Sequence, residues 1–469
     1  MLHDQAGPDN LWTNRNTAEA LPGVVTPLGW SFWGRALELA MRGAFYEMGV
    51  LRRDEVRYSY DVDERYTGVF YGRFCANVNL LRYVGAATPG TTADAVEEQI
   101  FGSARSGEKS ANVISRYPVV AVKLPLAAKR MPRVIGAMRE SYEPWWQAGT
   151  SAAARADFAG APARFAEAAK RFHDVMRPHS LATMLAQGLY DQLLGLAAAA
   201  GQPGLEMRLA TGYGGMEEVQ LTKDLWAVSR EKLPMSVFLE RHGYHGTSEG
   251  ALQSHSWRES QASLEALLAT YRTMGDVRSP DDIEGRRGEE RAAAEAQLLA
   301  GLPASRRAGA KIVLKLAARH IPLREVGKAA FLQSIDVARA AARTHGDWLV
   351  SQGVLDDPAD VFMLEAPQLM TRQTDGVREL VEERKAERER FLAIRMPDTW
   401  TGRPEPVAVV EETAAPDELT GLAVAPGVVE GIACVIHDPE SGIDLDDGEI
   451  LVCQTTDPSW ASFFLVAGA

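Results

Sequence analysis

With 469 residues, 46% of them hydrophobic and 24% charged, the chain is long enough for about three average domains and too apolar to be disordered as a whole. Its 50 Lys and Arg against 63 Asp and Glu leave a formal net charge of −13, which excludes a general electrostatic footprint for nucleic acid or anionic lipid, though not one local basic pocket. Cys75, Cys434 and Cys453 form neither a disulfide framework nor a zinc-type spacing, no signal peptide is visible in the first residues given, and no run of roughly 18 apolar residues could span a membrane. The expectation is a soluble, cytoplasmic protein without nucleic-acid or membrane partners.

From about residue 28 to 395 the sequence predicts mostly helices. An early exception is ERYTGVFYGRF, residues 64–74, whose β-branched and aromatic content predicts an extended segment. Phe165, Ala168, Ala169, Phe172 and Met176 then share one helical face, with Pro162 near its start. A following segment repeats the pattern with Leu181, Met184, Leu185, Leu189, Leu193 and Leu196. Leu264, Leu267, Leu268 and Tyr271 mark another helix, for which Gly275 is a natural stop. The longest predicted helix runs from Leu323 to Val350, after Pro322 and before Gly353. A last one, Val377 to Ile394, sets Val377, Leu380 and Val381 toward the core and carries the run EERKAERERF, which reads as a solvated face.

The character changes after Arg395. Residues 397–418 hold four prolines and few large apolar side chains, the composition of a linker. Beyond it, GLAVAPGVVEGIACVI and GEILVCQ read as strands of a second, β-containing domain. The last residues, SWASFFLVAGA, form an apolar run at Ala469, from which further chain is expected.

Several pieces together carry a resemblance. Leu422-Ala423-Val424-Ala425-Pro426-Gly427, Gly431, Gly448-Glu449-Ile450-Leu451-Val452 and Thr456-Asp457-Pro458-Ser459-Trp460 resemble the opening of the swivelling phosphohistidine domain of the phosphoenolpyruvate-utilising enzymes. Trp12-Thr13, Asn16, Glu19, Leu21-Pro22-Gly23 and Thr26-Pro27-Leu28-Gly29-Trp30-Ser31 resemble the entry of the helical substrate-binding domain of rifampin-phosphotransferase-like proteins. Residues 242–260 and 322–339, and Asp360-Val361-Phe362-Met363-Leu364, resemble further pieces of it. The eight alternating strand–helix units of a pyruvate-binding barrel are not visible, which favours the helical arrangement.

The resemblance implies a mainly α fold: a large helical substrate-binding-like body, residues 1–396, the proline-rich linker 397–418, and a truncated β/β/α swivelling phosphohistidine domain, 419–469. That last domain would be cut before its catalytic histidine, which would lie beyond Ala469, so no catalytic residue is assigned within the chain. The ATP-grasp domain of the full-length enzymes is not visible, and GYGG at 212–215 is too short for a phosphate loop. No cofactor is expected on this chain; ATP and Mg are implied for a complete enzyme, with an ATP-grasp domain or subunit in trans. The implied function is part of a dikinase-like phosphotransferase that moves a phosphoryl group from ATP through a phosphohistidine to a small-molecule acceptor. The alternative is a non-catalytic small-molecule-binding module, or a subunit partnering a separate ATP-binding chain.

Arg324 and Lys328 stand one helical turn apart, a fork and a point charge suited to a phosphoryl group. In the family an Arg and a Lys at this spacing lie near the reaction centre; the alternative is a surface pair bridged to Glu325 or other acids. Asn16 and Glu19 are further substrate-binding candidates. Glu19 falls near a family glutamine close to the acceptor hydroxyl, where a carboxylate could act as a base; helix capping is the other reading. His245 and Glu249, four apart, read as a structural hydrogen bond, since no third ligand suits a metal. His437 reads as a loop histidine, and Trp30, Phe32, Trp33, Phe45 and Tyr46 as either pocket or core.

Overall fold

The computed structural model describes residues 2–15, 17–101, 111–213, 217–275, 279–406, 428–436, 445–446, 448–453, 460, 463 and 467–468. The chain opens with β1 (Leu11–Thr13), α1 (Thr17–Ala20), α2 (Pro27–Met48), β2 (Thr67–Phe70), β3 (Arg73–Asn77), α3 (Val78–Ala87) and α4 (Ala93–Phe101). There follow α5 (Tyr117–Gly149), α6 (Ala152–Ala156), α7 (Ala161–Ala199), α8 (Leu205–Leu209), α9 (Glu217–Ser229), α10 (Met235–His242) and α11 (Ala262–Thr273). The remainder is α12 (Pro280–Gly301), α13 (Ala304–His320), α14 (Leu323–Ser351), α15 (Ala366–Met370), α16 (Val377–Leu392), β4 (Thr399–Thr401), β5 (Ala433–Val435) and β6 (Ile450–Val452). The mainly α expectation is borne out. No helix among the described residues is long and apolar enough to cross a membrane.

The core lies where α14 and α2 pack on α7, with α5 along α14. Phe32, Trp33 and Leu37 of α2 meet Phe165, Phe172 and Met176 of α7, and Leu332, Ile335 and Ala338 of α14 close the same cluster. Each such large apolar side chain contributes about 1.5–3 kcal/mol by leaving water. Helix α2 begins sharply because the Thr26 hydroxyl accepts the Gly29 N–H at 3.1 Å and Pro27 follows it, and it ends at Gly49, whose φ of 95° suits only glycine well. Of the aromatic set, Phe32, Trp33 and Phe45 are core, while Trp30 and Tyr46 are half-buried beside it.

One expectation needs correcting. The two apolar segments 162–176 and 181–196 are a single helix, α7, which runs through Pro178. A proline inside a helix removes one backbone hydrogen bond and costs about 3 kcal/mol. Pro178 is buried among elements that hold both halves in line: Phe172 and Met176 lie in the main core, and Leu181 joins a second cluster with Phe45, Met131 and Ile135.

The extended segment at 64–74 becomes the hairpin of β2 and β3. Thr67 pairs with Ala76 and Phe70 with Arg73 across a two-residue turn, Tyr71 and Gly72, both at positive φ. These strands join an antiparallel sheet of order β2-β3-β1-β4, with Trp12 opposite Trp400. Thr399–Thr401 therefore lies in a strand inside the segment read as a linker, held by Trp400 against Phe70 at 5.4 Å; residues 407–418 lie outside the described residues. Charges in the run on α16 also do more than face solvent. Arg384 bonds the Met363 carbonyl at 2.7 Å, and Lys385 pairs with Asp360 at 2.7 Å. Near the C-terminus, β5 and β6 pair in parallel, Ala433 opposite Ile450.

Candidate functional site

Helix α14 starts at Pro322, whose missing N–H costs nothing there, so Arg324, Glu325 and Lys328 all sit in its first two turns. Arg324 and Lys328 share a face, as their spacing requires, but they do not share partners. The Arg324 guanidinium is 56% exposed and lies 3.1 Å from Glu325. Lys328 Nζ lies 3.3 Å from Glu249 Oε1 and 3.5 Å from Glu218 Oε1 of α9. Glu249 in turn holds His245 Nδ1 at 2.8 Å through its second oxygen. The structural hydrogen bond expected between His245 and Glu249 is there. Among the described residues no group of three or more His, Cys, Asp or Glu side chains is placed to hold a metal ion.

The electrostatics of this face follow from burial and neighbours. Burial lowers the proton affinity of Lys328, but Glu249, Glu218 and Glu325 outweigh it and keep the ammonium charged. Burial pushes the Glu325 carboxyl up to about 7, and the hydrogen-bonded Glu218 adds to the shift against Arg324 and Lys328. The raised Glu325 carboxyl is thus buried in contact with Arg324, with Lys328 as a further opposing charge.

Beside these residues, α5, α9, α10 and α14 enclose a cleft of about 300 Å³, with Arg139, Glu217, Asp224, Tyr244 and Gln333 on its walls. Arg139 pairs with Glu217 at 3.1 Å. Asp224 meets His242 Nε2 at 2.9 Å, Arg241 at 3.2 Å and Gln220 at 2.9 Å. Burial pushes His242 down to about 4, so at neutral pH it is uncharged and donates its Nε2 proton to Asp224. The cleft is a polar, pre-organised wall with apolar patches from Val326, Ala329 and Ala330.

Of the residues singled out in the sequence, Arg324 and Lys328 sit in the first turns of α14, the helix whose Val326, Ala329, Ala330 and Gln333 line this cleft, and neither is itself on its walls. Asn16 lies outside the described residues, and Glu19 is described only as backbone within α1. That helix ends close to the site: the Ala20 carbonyl abuts Gly250, the neighbour of Glu249, and leaves no room for a Cβ there. His437 and Gly214-Gly215 lie outside the described residues. Glu218, Glu249 and the Asp224–His242 pair were not legible as site residues. Glu217 and Glu218 lie in the first turn of α9, where the macrodipole favours acids, and their partners lie far away in sequence.

The family comparison falls on this part of the chain. Residues 193–325 match the family model described as rifampicin phosphotransferase fourth domain, a span from the end of α7 to Glu325 that includes Glu218, His245, Glu249 and Arg324. This part of the chain is similar to the rifampicin phosphotransferases. A rifampicin phosphotransferase of a Streptomyces species is 32% identical over 248 residues, 50% of this chain and 28% of that protein. The Bacillus subtilis rifampicin phosphotransferase is 25% identical over 244 residues, 49% of this chain and 27% of that protein. An uncharacterized protein of Mycobacterium tuberculosis is 38% identical over 161 residues, 34% of this chain and 19% of that protein. Each alignment thus spans less than a third of the relative's own length, and the resemblance read from the sequence to rifampin-phosphotransferase-like proteins is borne out.

Close packing against α7 holds the first turns of α14 in place. A Cβ at Gly327 would come within 2.8 Å of His179 Nδ1 on α7. Gly327→Ala is therefore expected to cost about 1–3 kcal/mol, because the added methyl must displace either the histidine ring or the helix carrying Arg324 and Lys328. Urea unfolding of the two proteins checks this, and unchanged stability would mean the helices separate without cost.

Proposed function

We propose that the helical body holds a small-molecule acceptor in the cleft beside α14 and presents Arg324 and Lys328 to a phosphoryl group arriving from a phosphohistidine. The observation that carries this reading is the placement of two permanent cations, one turn apart, at the start of the helix that also forms one wall of a polar cleft. That the stretch matched to the rifampicin phosphotransferase fourth domain supplies half of the residues on the cleft walls supports it.

In the transfer the acceptor's hydroxyl oxygen forms the new P–O bond, the P–N bond to the imidazole breaks, and the hydroxyl proton passes to a base. Charge spreads over the peripheral phosphoryl oxygens during this step. Lys328 meets it as a point charge and Arg324 as a planar fork. ATP and magnesium would act in the earlier loading of the histidine by an ATP-grasp unit.

The test supplies the chain with ATP-binding and phosphohistidine units from a rifampicin phosphotransferase, magnesium and ATP. Rifampicin and smaller hydroxylated compounds are then screened by mass spectrometry for gain of one phosphoryl group. A phosphorylated acceptor formed with this chain, and not with the supplied units alone, supports the reading. No acceptor modified in a mixture whose histidine is demonstrably phosphorylated would count against it.

A further inference from the structure

Lys328 has two carboxylate partners, and they differ in every physical respect. Glu218 is 56% exposed, 3.5 Å away, and sits near the start of α9. Glu249 is 8% exposed, closer at 3.3 Å, and uses its other oxygen to hold His245 at 2.8 Å. An exposed ion pair contributes little and is readily exchanged for another anion, whereas breaking a buried one leaves a charge without a partner.

The loop carrying Glu249 is itself fastened to α14. Arg339, 1% exposed and about three turns beyond Lys328 on the same helix, donates to the carbonyls of Glu249 at 3.2 Å, Ala251 at 3.0 Å and Leu252 at 3.3 Å, and to the Ser254 hydroxyl at 3.0 Å. Arg343 holds the carbonyls of Gln253 and Ser254, both at 3.0 Å. On the other side, Trp33 Nε1 donates to the Gly250 carbonyl at 2.9 Å. The helix that bears the lysine thus also bears the anchors of the loop that returns a carboxylate to it.

We propose that Glu249, backed by His245, is the positioning residue that fixes the Lys328 ammonium for phosphoryl transfer, and that Glu218 is the partner an incoming phosphoryl anion displaces. The proposal rests on the transfer reading given above. A free lysine side chain has four rotatable bonds to order, and the buried carboxylate orders them before any substrate arrives. Burial alone would raise the Glu249 proton affinity, but His245 and Lys328 lower it below its ordinary value, so the clamp stays ionised at neutral pH. The titratable and charged groups facing Lys328 are then Glu249 and His245 from the loop, Glu218 from α9, Arg324 and Glu325 from α14, and His179 from α7, which burial holds down at about 4.

Two measurements test this. In the full chain alone, competitive acetylation followed by mass spectrometry reads the reactivity of Lys328. Glu249→Gln, which keeps the shape but removes the charge, is expected to raise that reactivity several-fold at pH 8. In the reconstituted reaction Glu249→Gln is expected to lower kcat roughly ten- to a hundredfold with a much smaller change in the acceptor's KM, as for loss of an outer partner that orients a reacting group. Glu249→Asp should recover part of the rate. His245→Gln, which leaves the carboxylate but loosens it, should shift both readouts in the same direction by less, so the test does not depend on one variant folding.

Unchanged Lys328 reactivity and unchanged kcat in Glu249→Gln would overturn the proposal. A different pattern marks failure of the underlying reading: Lys328 becomes more reactive in Glu249→Gln, yet Lys328→Met transfers phosphoryl groups as well as wild type. The clamp would then be real, but a positioning role in transfer would be ruled out.

Discussion

Asp336→Ala is expected to destabilise the protein by about 3–5 kcal/mol, the usual cost of removing one partner from a buried ion cluster. Asp336 sits in the middle of α14 with no exposed surface. It accepts the Trp146 indole N–H at 2.8 Å and the Arg258 guanidinium at 3.1 and 3.0 Å, and Arg339 lies 3.4 Å away. Without the carboxylate, Arg258 keeps Glu259 at 3.6 Å, Arg339 loses the acid 3.4 Å away, and the Trp146 donor loses its acceptor. Because Arg339 also anchors the Glu249 loop, the damage should reach the candidate site. Urea unfolding measures the effect; a loss under about 1 kcal/mol would mean that the cluster contributes little beyond its packing.

The same residue gives a pH dependence with a fixed sign. Burial raises the Asp336 proton affinity, but the Arg258 charge and hydrogen bonds, with Arg339 and Trp146, lower it below the ordinary carboxylate value. A depressed folded-state value means that this stabilisation is fully present above the unfolded pKa of about 3.9, and is lost as the pH falls through the lower folded value. Asp336→Asn should therefore flatten the acid limb of the stability profile and leave its neutral limb parallel to wild type.

The second large effect concerns chemistry. Lys328→Ala in the reconstituted reaction is expected to lower turnover roughly ten- to a thousandfold, the range for losing one electrostatic donor to a developing charge. Acceptor binding should change far less, since the charge develops in transfer and not in docking. Arg324→Lys should also be damaging, because an ammonium cannot reproduce the fork, and its bond to Glu325 would lose one of two donors. A purely structural pair would instead give a lowered melting temperature with near-normal turnover in the folded fraction. Measuring both quantities on one preparation separates the cases, and intact turnover in both variants would remove these residues from the site.

By itself, the sequence determined the helical class of the body, the run of α14 after Pro322, and the pairing of Arg324 with Lys328 on one face. These are local matters: helical periodicity, a proline at a helix start and a four-residue spacing are written in adjacent residues. It also placed the chain beside the rifampicin phosphotransferases through short pieces spread along it. The tertiary structure alone decided that α7 continues through Pro178, because packing on both halves outweighs a local penalty that the sequence shows in isolation. It alone made a four-stranded sheet from Leu11–Thr13, the 67–77 hairpin and Thr399–Thr401, since Trp12 and Trp400 meet across nearly the whole chain. The division of labour around Lys328 is of the same kind. Glu218 and Glu249 look alike as letters; one is exposed at the start of a helix and the other is buried on a loop that Arg339 ties down, and burial sets which carboxylate holds the lysine and which can let go.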